Sequence, residues 1–148
     1  MSTPFSSLEI AHKIIINTDI DQGDIISNLK LQKMLYYLQG FNLAFFDEKL
    51  FSEDIVAWQY GPVVREVYDS FKDFGKGAII LSGSVKELQL NGADQEDMFK
   101  QVMAEYGKFS AIRLMEMTHN ELPWKSTALR DTIDTEIMRR YFKSLIEE

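Results

Sequence analysis

The chain has 148 residues, 45% of them hydrophobic and 26% charged, an ordinary globular mix that can bury one core, so residues 1–148 read as a single domain and wholesale disorder is not expected. Its 16 basic and 23 acidic residues leave a net charge of −7, which opposes the counterion-release attraction behind most nucleic-acid binding. The absence of cysteine excludes disulfides, thiolate metal ligands and cysteine nucleophiles; residues 1–7 lack a basic, apolar leader, and no apolar run could span a bilayer, so the chain reads as cytoplasmic with no membrane partner.

The first helix is predicted over residues 7–17, because Ser6 and Glu9 have capping-box spacing and Leu8, Ala11 and Ile15 share a face. Residues 19–27, with Gly23 and several acids, read as a loop. After the cap Ser27, apolar side chains recur at Leu31, Met34, Leu35, Leu38, Phe41 and Phe45, the period of a helix that should form the centre of the core. Residues 47–49 are a polar turn and residues 55–59 an extended segment. Proline is favoured at a first helical position, so a third helix is expected to start at Pro62 and to bury Val64, Val67, Tyr68 and Phe71.

Gly75 and Gly77 interrupt that pattern, and residues 78–81 are a short apolar run that can pair with residues 55–59. Asp94 is the expected cap of a fourth helix burying Phe99, Val102, Met103 and Tyr106, with Gly107 in a left-handed terminal position. Ser110 caps a fifth, with Ala111, Leu114, Met115 and Thr118 on one face. Residues 120–134 form a polar connection with room for a helical turn at 126–130, and a last helix after Asp134 carries Met138, Tyr141, Phe142 and Leu145. The fold class is mainly α, a compact single-domain bundle of about six helices that accommodates a small β-hairpin.

Three stretches stand out together. They are Leu29-Lys30-Leu31-Gln32-Lys33-Met34-Leu35-Tyr36-Tyr37-Leu38-Gln39-Gly40 followed by Leu50-Phe51, then Ala57-Trp58-Gln59-Tyr60-Gly61-Pro62-Val63-Val64-Arg65-Glu66-Val67-Tyr68, then Thr118-His119-Asn120-Glu121-Leu122-Pro123-Trp124. In this order the chain resembles the Panacea domain of SocA- and GepA-like, phage-associated proteins. The resemblance implies a mainly helical antitoxin that neutralises a cognate toxin protein by direct binding, or a proteolytic adaptor that delivers a toxin to an AAA+ protease such as ClpXP. It implies no enzyme activity and no cofactor. Some members of that family carry an additional DNA-binding domain that could autoregulate the operon, and no helix-turn-helix extension is visible here.

Tyr36, Tyr37, Trp58 and Tyr60 cluster near these motifs, and such aromatics either anchor interfaces or pack the core while a polar tip finds a partner. Gly61 and Pro62 have a structural reading, an unusual backbone turn and a helix start. Arg65 can meet a carboxylate across an interface or pair with Asp69 on its own helix. His119 sits where an imidazole caps a helix, and it is the one visible candidate for a general base in a phage-associated enzyme. Pro123 aims Trp124 back at the helices, while an exposed Trp124 would be a binding anchor.

The candidate partner-binding residues are therefore Tyr36, Tyr37, Trp58, Tyr60, Arg65, His119 and Trp124, with Gly61, Pro62 and Pro123 structural. No catalytic or cofactor-binding residue is assigned. Two histidines without ligand spacing give no metal site, and the acidic residues Asp19, Asp21 and Asp24 lack the rest of a calcium loop. A nucleic-acid surface through Lys30 and Lys33 is the weakest reading, because the total charge opposes it.

Overall fold

The computed structural model describes residues 4–18, 26–81 and 86–147. α1 (Ser7–Ile16) opens on the expected capping box, Ser6 Oγ accepting from the Glu9 amide while Glu9 accepts from the Ser6 amide. It buries Ile10, Ala11, Ile14 and Ile15, whereas Leu8, in its first turn, is exposed. α2 (Asn28–Phe46) starts at Ser27, whose hydroxyl accepts from the Lys30 amide, and stops at Asp47 in a left-handed conformation, φ 56°. From Leu31 to Ala44 every residue of α2 is buried. A helix covered on all sides is a core element, not an amphipathic one. The apolar stripe therefore under-reads it, and Phe45, assigned to that stripe, is exposed.

β1 (Val56–Trp58) and β2 (Gly61–Val63) form an antiparallel hairpin pairing Val56 with Val63, Ala57 with Pro62 and Trp58 with Gly61. The two residues between them, Gln59 and Tyr60, make the turn, and Gly61 at φ 109° takes a conformation that a side chain would strain. The expected helix start at Pro62 is thus corrected to α3 (Arg65–Phe71). Proline fits this strand because ladder bonds alternate: Ala57, its partner, points its own amide and carbonyl away from β2. They bond instead to Asp131 O at 3.0 Å and to the Arg130 amide at 2.6 Å, and the Ile133 amide reaches Ile55 O at 2.8 Å. Residues 130–133 therefore take the place assigned to residues 78–81. That apolar run fastens elsewhere, the Ile79 amide donating to Ile26 O at 2.8 Å.

A 3-10 turn (Lys72–Phe74) follows α3. α4 (Ala93–Tyr106) is preceded by Gly92 in the cap position, with Asp94 inside the first turn, and Gly107 keeps right-handed geometry at φ −63°. Buried Lys13 ties this region to α1 through Glu87 at 3.0 Å, Glu96 at 3.3 Å and Leu88 O at 2.6 Å. α5 (Ala111–His119) is capped by Ser110 as expected. The next helical turn is α6 (Leu122–Lys125), earlier than the predicted 126–130, because Pro123 sits in its first turn where a missing amide costs nothing. α7 (Thr135–Ile146) follows the Asp134 cap and buries Met138 and Phe142 against α2, leaving Leu145 exposed.

The fold is mainly helical, with one hairpin among the described residues, and α2 is its axis, touching α1, α3, α4, α5, α7 and β2. A β-carbon at Gly40 would overlap the Phe142 ring, so glycine lets α2 and α7 approach closely. No described helix is long and apolar enough to cross a membrane. The acidic residues Asp19, Asp21 and Asp24 lie outside the described residues.

Candidate functional site

Polar side chains of α2 hold the hairpin in place. The Gln32 carbonyl oxygen accepts from the Val64 amide at 2.9 Å, and Lys33 Nζ donates to Pro62 O at 3.1 Å. About two turns further on, Gln39 receives the amides of Leu50 and Phe51 at 2.7 and 3.4 Å and donates to Phe51 O at 2.8 Å. Buried backbone groups need partners, and α2 supplies them to these segments. A β-carbon on Gly61 would lie 2.6 Å from Lys33 Cε and 2.9 Å from Thr118 Oγ1, so glycine is required there for space as well as for angle.

From the other side, the segment joining α5 to α6 grips the same elements. Glu121 accepts hydrogen bonds from the Tyr36 hydroxyl at 2.9 Å and the Tyr37 hydroxyl at 2.8 Å. Trp124 Nε1 donates to Trp58 O at 2.8 Å, and His119 Nε2 meets Gln59 O at 3.0 Å, which makes that nitrogen the protonated one. The His119 and Trp124 rings lie 4.2 Å apart, while Trp58 packs edge-on against Tyr68 at 5.0 Å. The three distinctive stretches of sequence are therefore one connected unit.

Burial sets the electrostatics of this unit. Desolvation lowers the Lys33 ammonium to about 7. It raises the Glu121 carboxyl to about 7, an effect that the two tyrosine hydrogen bonds partly oppose. Tyr36 and Tyr37 are pushed upward, first by their own burial and then by the Glu121 charge, so both are neutral donors. Tyr106, stacked on Tyr37 at 4.1 Å, is raised to about 12 by burial and by Glu121.

The candidate residues divide into two groups. Tyr36 and Tyr37 have no exposed surface, so in this structure they are core side chains whose hydroxyls serve Glu121, and the interface reading of these two is corrected. Lys33, weighed as a nucleic-acid contact, is likewise buried, and Lys30 donates to Gly107 O at 2.7 Å. The rest surround the hairpin: Tyr60 stands 60% exposed at its tip, Arg65 is exposed at the start of α3, and Trp58, His119 and Trp124 are half-buried beneath. Arg65 forms no ion pair with Asp69 or any other described residue. Trp124 folds back as expected, and Pro123 is buried in α6.

Gln32, Gln39 and Glu121 were missed by motif reading. For Gln32 and Gln39 the signal was present in α2, where amide side chains stand among apolar ones and would be costly to bury unpaired; Glu121, between α5 and α6, gave no such signal. No group of three or more acidic or histidine side chains among the described residues is placed to hold a metal ion.

Comparison with known proteins gives two matches. The family described as "Antitoxin SocA-like, Panacea domain" matches residues 31–125, a span that holds the second and third converging stretches and all of the first from Leu31 onward. The chain is 32% identical over 110 residues to Antitoxin SocA of Caulobacter vibrioides (strain NA1000 / CB15N), an alignment covering 67% of this chain and 58% of that relative's length. No solved structure matches the chain.

Proposed function

The chain belongs to the SocA-like, Panacea-domain antitoxin family, and on that premise we propose that it neutralises a cognate toxin protein by direct, non-catalytic binding through the hairpin face. The single observation that carries this reading is the arrangement of the hairpin. Its backbone is fixed by Gln32, Lys33, His119 and Trp124, while Tyr60 at its tip is left in solvent. An aromatic side chain on a rigid support loses little entropy on binding, which is what an interface anchor requires.

Trp58, Arg65, His119 and Trp124 complete the proposed contact set, with Gly61, Pro62 and Pro123 fixing its shape. His119 acts here as a packing and hydrogen-bonding residue, its Nε2 proton held by a carbonyl. The 148 residues act as one domain in the cytoplasm, with no cofactor.

The test is co-expression with the flanking genes of the host, followed by tagged capture and mass spectrometry. The expected result is a stoichiometric partner that arrests growth when expressed alone, with growth restored by this chain and not by Tyr60→Ala or Arg65→Ala variants that remain folded. Toxin abundance separates the modes of action: binding leaves the toxin present and silent, whereas an adaptor lowers its level only when an AAA+ protease is present. Capture of no specific partner, with harmless neighbours, overturns the reading.

A further inference from the structure

Arg130 is one of two non-glycine residues with positive φ among the described residues, at φ 77°. Glycine and asparagine are the usual occupants of such positions, because a β-carbon is crowded there. The backbone requirement is clear, since the Arg130 amide donates to Ala57 O and closes the outer edge of the hairpin. The arginine side chain contributes nothing to that bond: it is exposed and forms no ion pair or hydrogen bond with a described residue. A strained position occupied by a cation that the fold does not use points to a use outside the fold.

The surroundings say what kind. Residues 122–130 contain two cations, Lys125 and Arg130, and no acid, in a chain of net charge −7. Lys125 and Arg65 are also exposed and without an ion pair among the described residues, although Glu66 and Asp131 border the face. The same segment carries Leu122 and Leu129, 55% and 56% exposed, and is held along β1 by the bonds of Trp124 to Trp58 O and of the Arg130 amide to Ala57 O, in the hairpin whose turn bears exposed Tyr60. Phosphate backbones offer no match for two exposed leucines, and the acidic total repels them.

We infer that Arg130, with Lys125 and Arg65, receives carboxylates of an acidic, leucine-bearing segment of a protein partner, whose apolar side chains cover Leu122, Leu129 and Tyr60. This rests on the toxin-binding reading and adds the partner's chemistry: the toxin presents an acidic amphipathic surface. Arginine suits the task because its planar fork pairs a carboxylate through two parallel hydrogen bonds. Tyr60 and the leucines give the apolar centre, and the cations give the rim that steers encounter and register.

Arg130→Gly is the decisive variant, because glycine keeps the positive φ and the amide bond to Ala57 while deleting only the guanidinium. Its thermal midpoint is expected to equal or exceed that of the wild type. The probe is a short synthetic peptide of glutamate and leucine, titrated into labelled protein and followed by amide shifts, beside its glutamine counterpart and an oligothymidylate. Saturable shifts at Tyr60, Leu129 and Arg130 are expected with the glutamate peptide alone, weakened about tenfold in Arg130→Gly and lost at high salt. Equal binding of the glutamine peptide, tighter binding of the oligonucleotide, absence of shifts, or an unaffected Arg130→Gly overturns the inference. The toxin reading is tested separately by partner capture, so a captured toxin that binds Arg130→Gly normally defeats only this proposal.

Discussion

The α7 flank and the hairpin face handle their cations in opposite ways. On α7, Arg139 is bonded to Glu136 and Asp47, Arg140 to Glu136, and Lys143 to Asp47, so every cation of the helix has an acid within its own fold. On the hairpin face, Arg65, Lys125 and Arg130 have none among the described residues, and Tyr60, Leu122 and Leu129 stand in solvent. Beneath α7 the aromatic rings of Tyr36, Tyr37, Phe41 and Phe142 pack at centroid separations of 4.9 to 6.0 Å, whereas the aromatic set at the hairpin is only half covered. One side is satisfied internally and serves stability; the other retains unspent interactions. Substitutions should therefore separate into those that unfold the chain and those that silence it.

The largest stability loss is expected at the α2–α7 contact. Phe142→Ala removes a ring with no exposed surface and should cost about 3–5 kcal/mol in urea unfolding. Gly40→Ala drives a β-carbon into that ring and should cost about 1–3 kcal/mol. Together they should cost less than the sum, since the truncated side chain leaves room for the added methyl. Full additivity would mean that the helices do not meet at this point.

Next comes the network that joins the two sides. Glu121→Ala deprives two buried tyrosine hydroxyls of their acceptor and should cost about 2 kcal/mol or more, whereas Glu121→Gln retains an acceptor and should cost less. The pH dependence is specific. Glu121, raised from 4.5 to about 7, binds its proton more tightly in the folded state, so its contribution is complete below pH 4.5 and is lost as the pH rises to about 7. Lys33, lowered from 10.5 to about 7, contributes most above pH 10.5 and loses that contribution as the pH falls to about 7. The two penalties coincide near neutrality. The unfolding midpoint of Glu121→Gln relative to the wild type should rise between pH 4.5 and 7 and then level off; a pH-independent difference would remove this assignment.

Smaller stability effects are expected at the surface, with opposite consequences for binding. Tyr60→Ala and Arg65→Ala should change unfolding stability by about 0.5 kcal/mol or less yet abolish growth rescue. Arg139→Ala should give a slight, salt-sensitive loss of stability and leave rescue intact, because its ion pairs are solvent-exposed and already internal to the fold. If Arg139→Ala abolished rescue and Tyr60→Ala did not, the roles of the two faces would be reversed.

Much of this was legible in residue order. The Ser6–Glu9 capping box, the caps Ser27, Ser110 and Asp134, and the helical class all follow from local hydrogen bonding and periodicity. The three motifs identified the family before any contact was known. Their purpose was less legible, because Gln32, Lys33, Gln39 and Glu121 read as surface polar residues until the segments they bond are placed against them. Of the proposed contact set, the hairpin aromatics and Arg65 were nominated from sequence. Arg130 was not, since its positive φ and its amide bond to Ala57 O belong to a contact between distant segments.

Residue types and spacings by themselves determined that this chain is mainly helical, where most helices begin, and to which family it belongs, because these depend on interactions within a few residues or on motif identity. Only the tertiary structure decided that Pro62 lies in a strand, that residues 130–133 displace 78–81 beside β1, and that Tyr36 and Tyr37 are core while Tyr60 is surface. Those outcomes depend on which distant backbone groups and rings must share the space around α2, and local preference is silent on that competition.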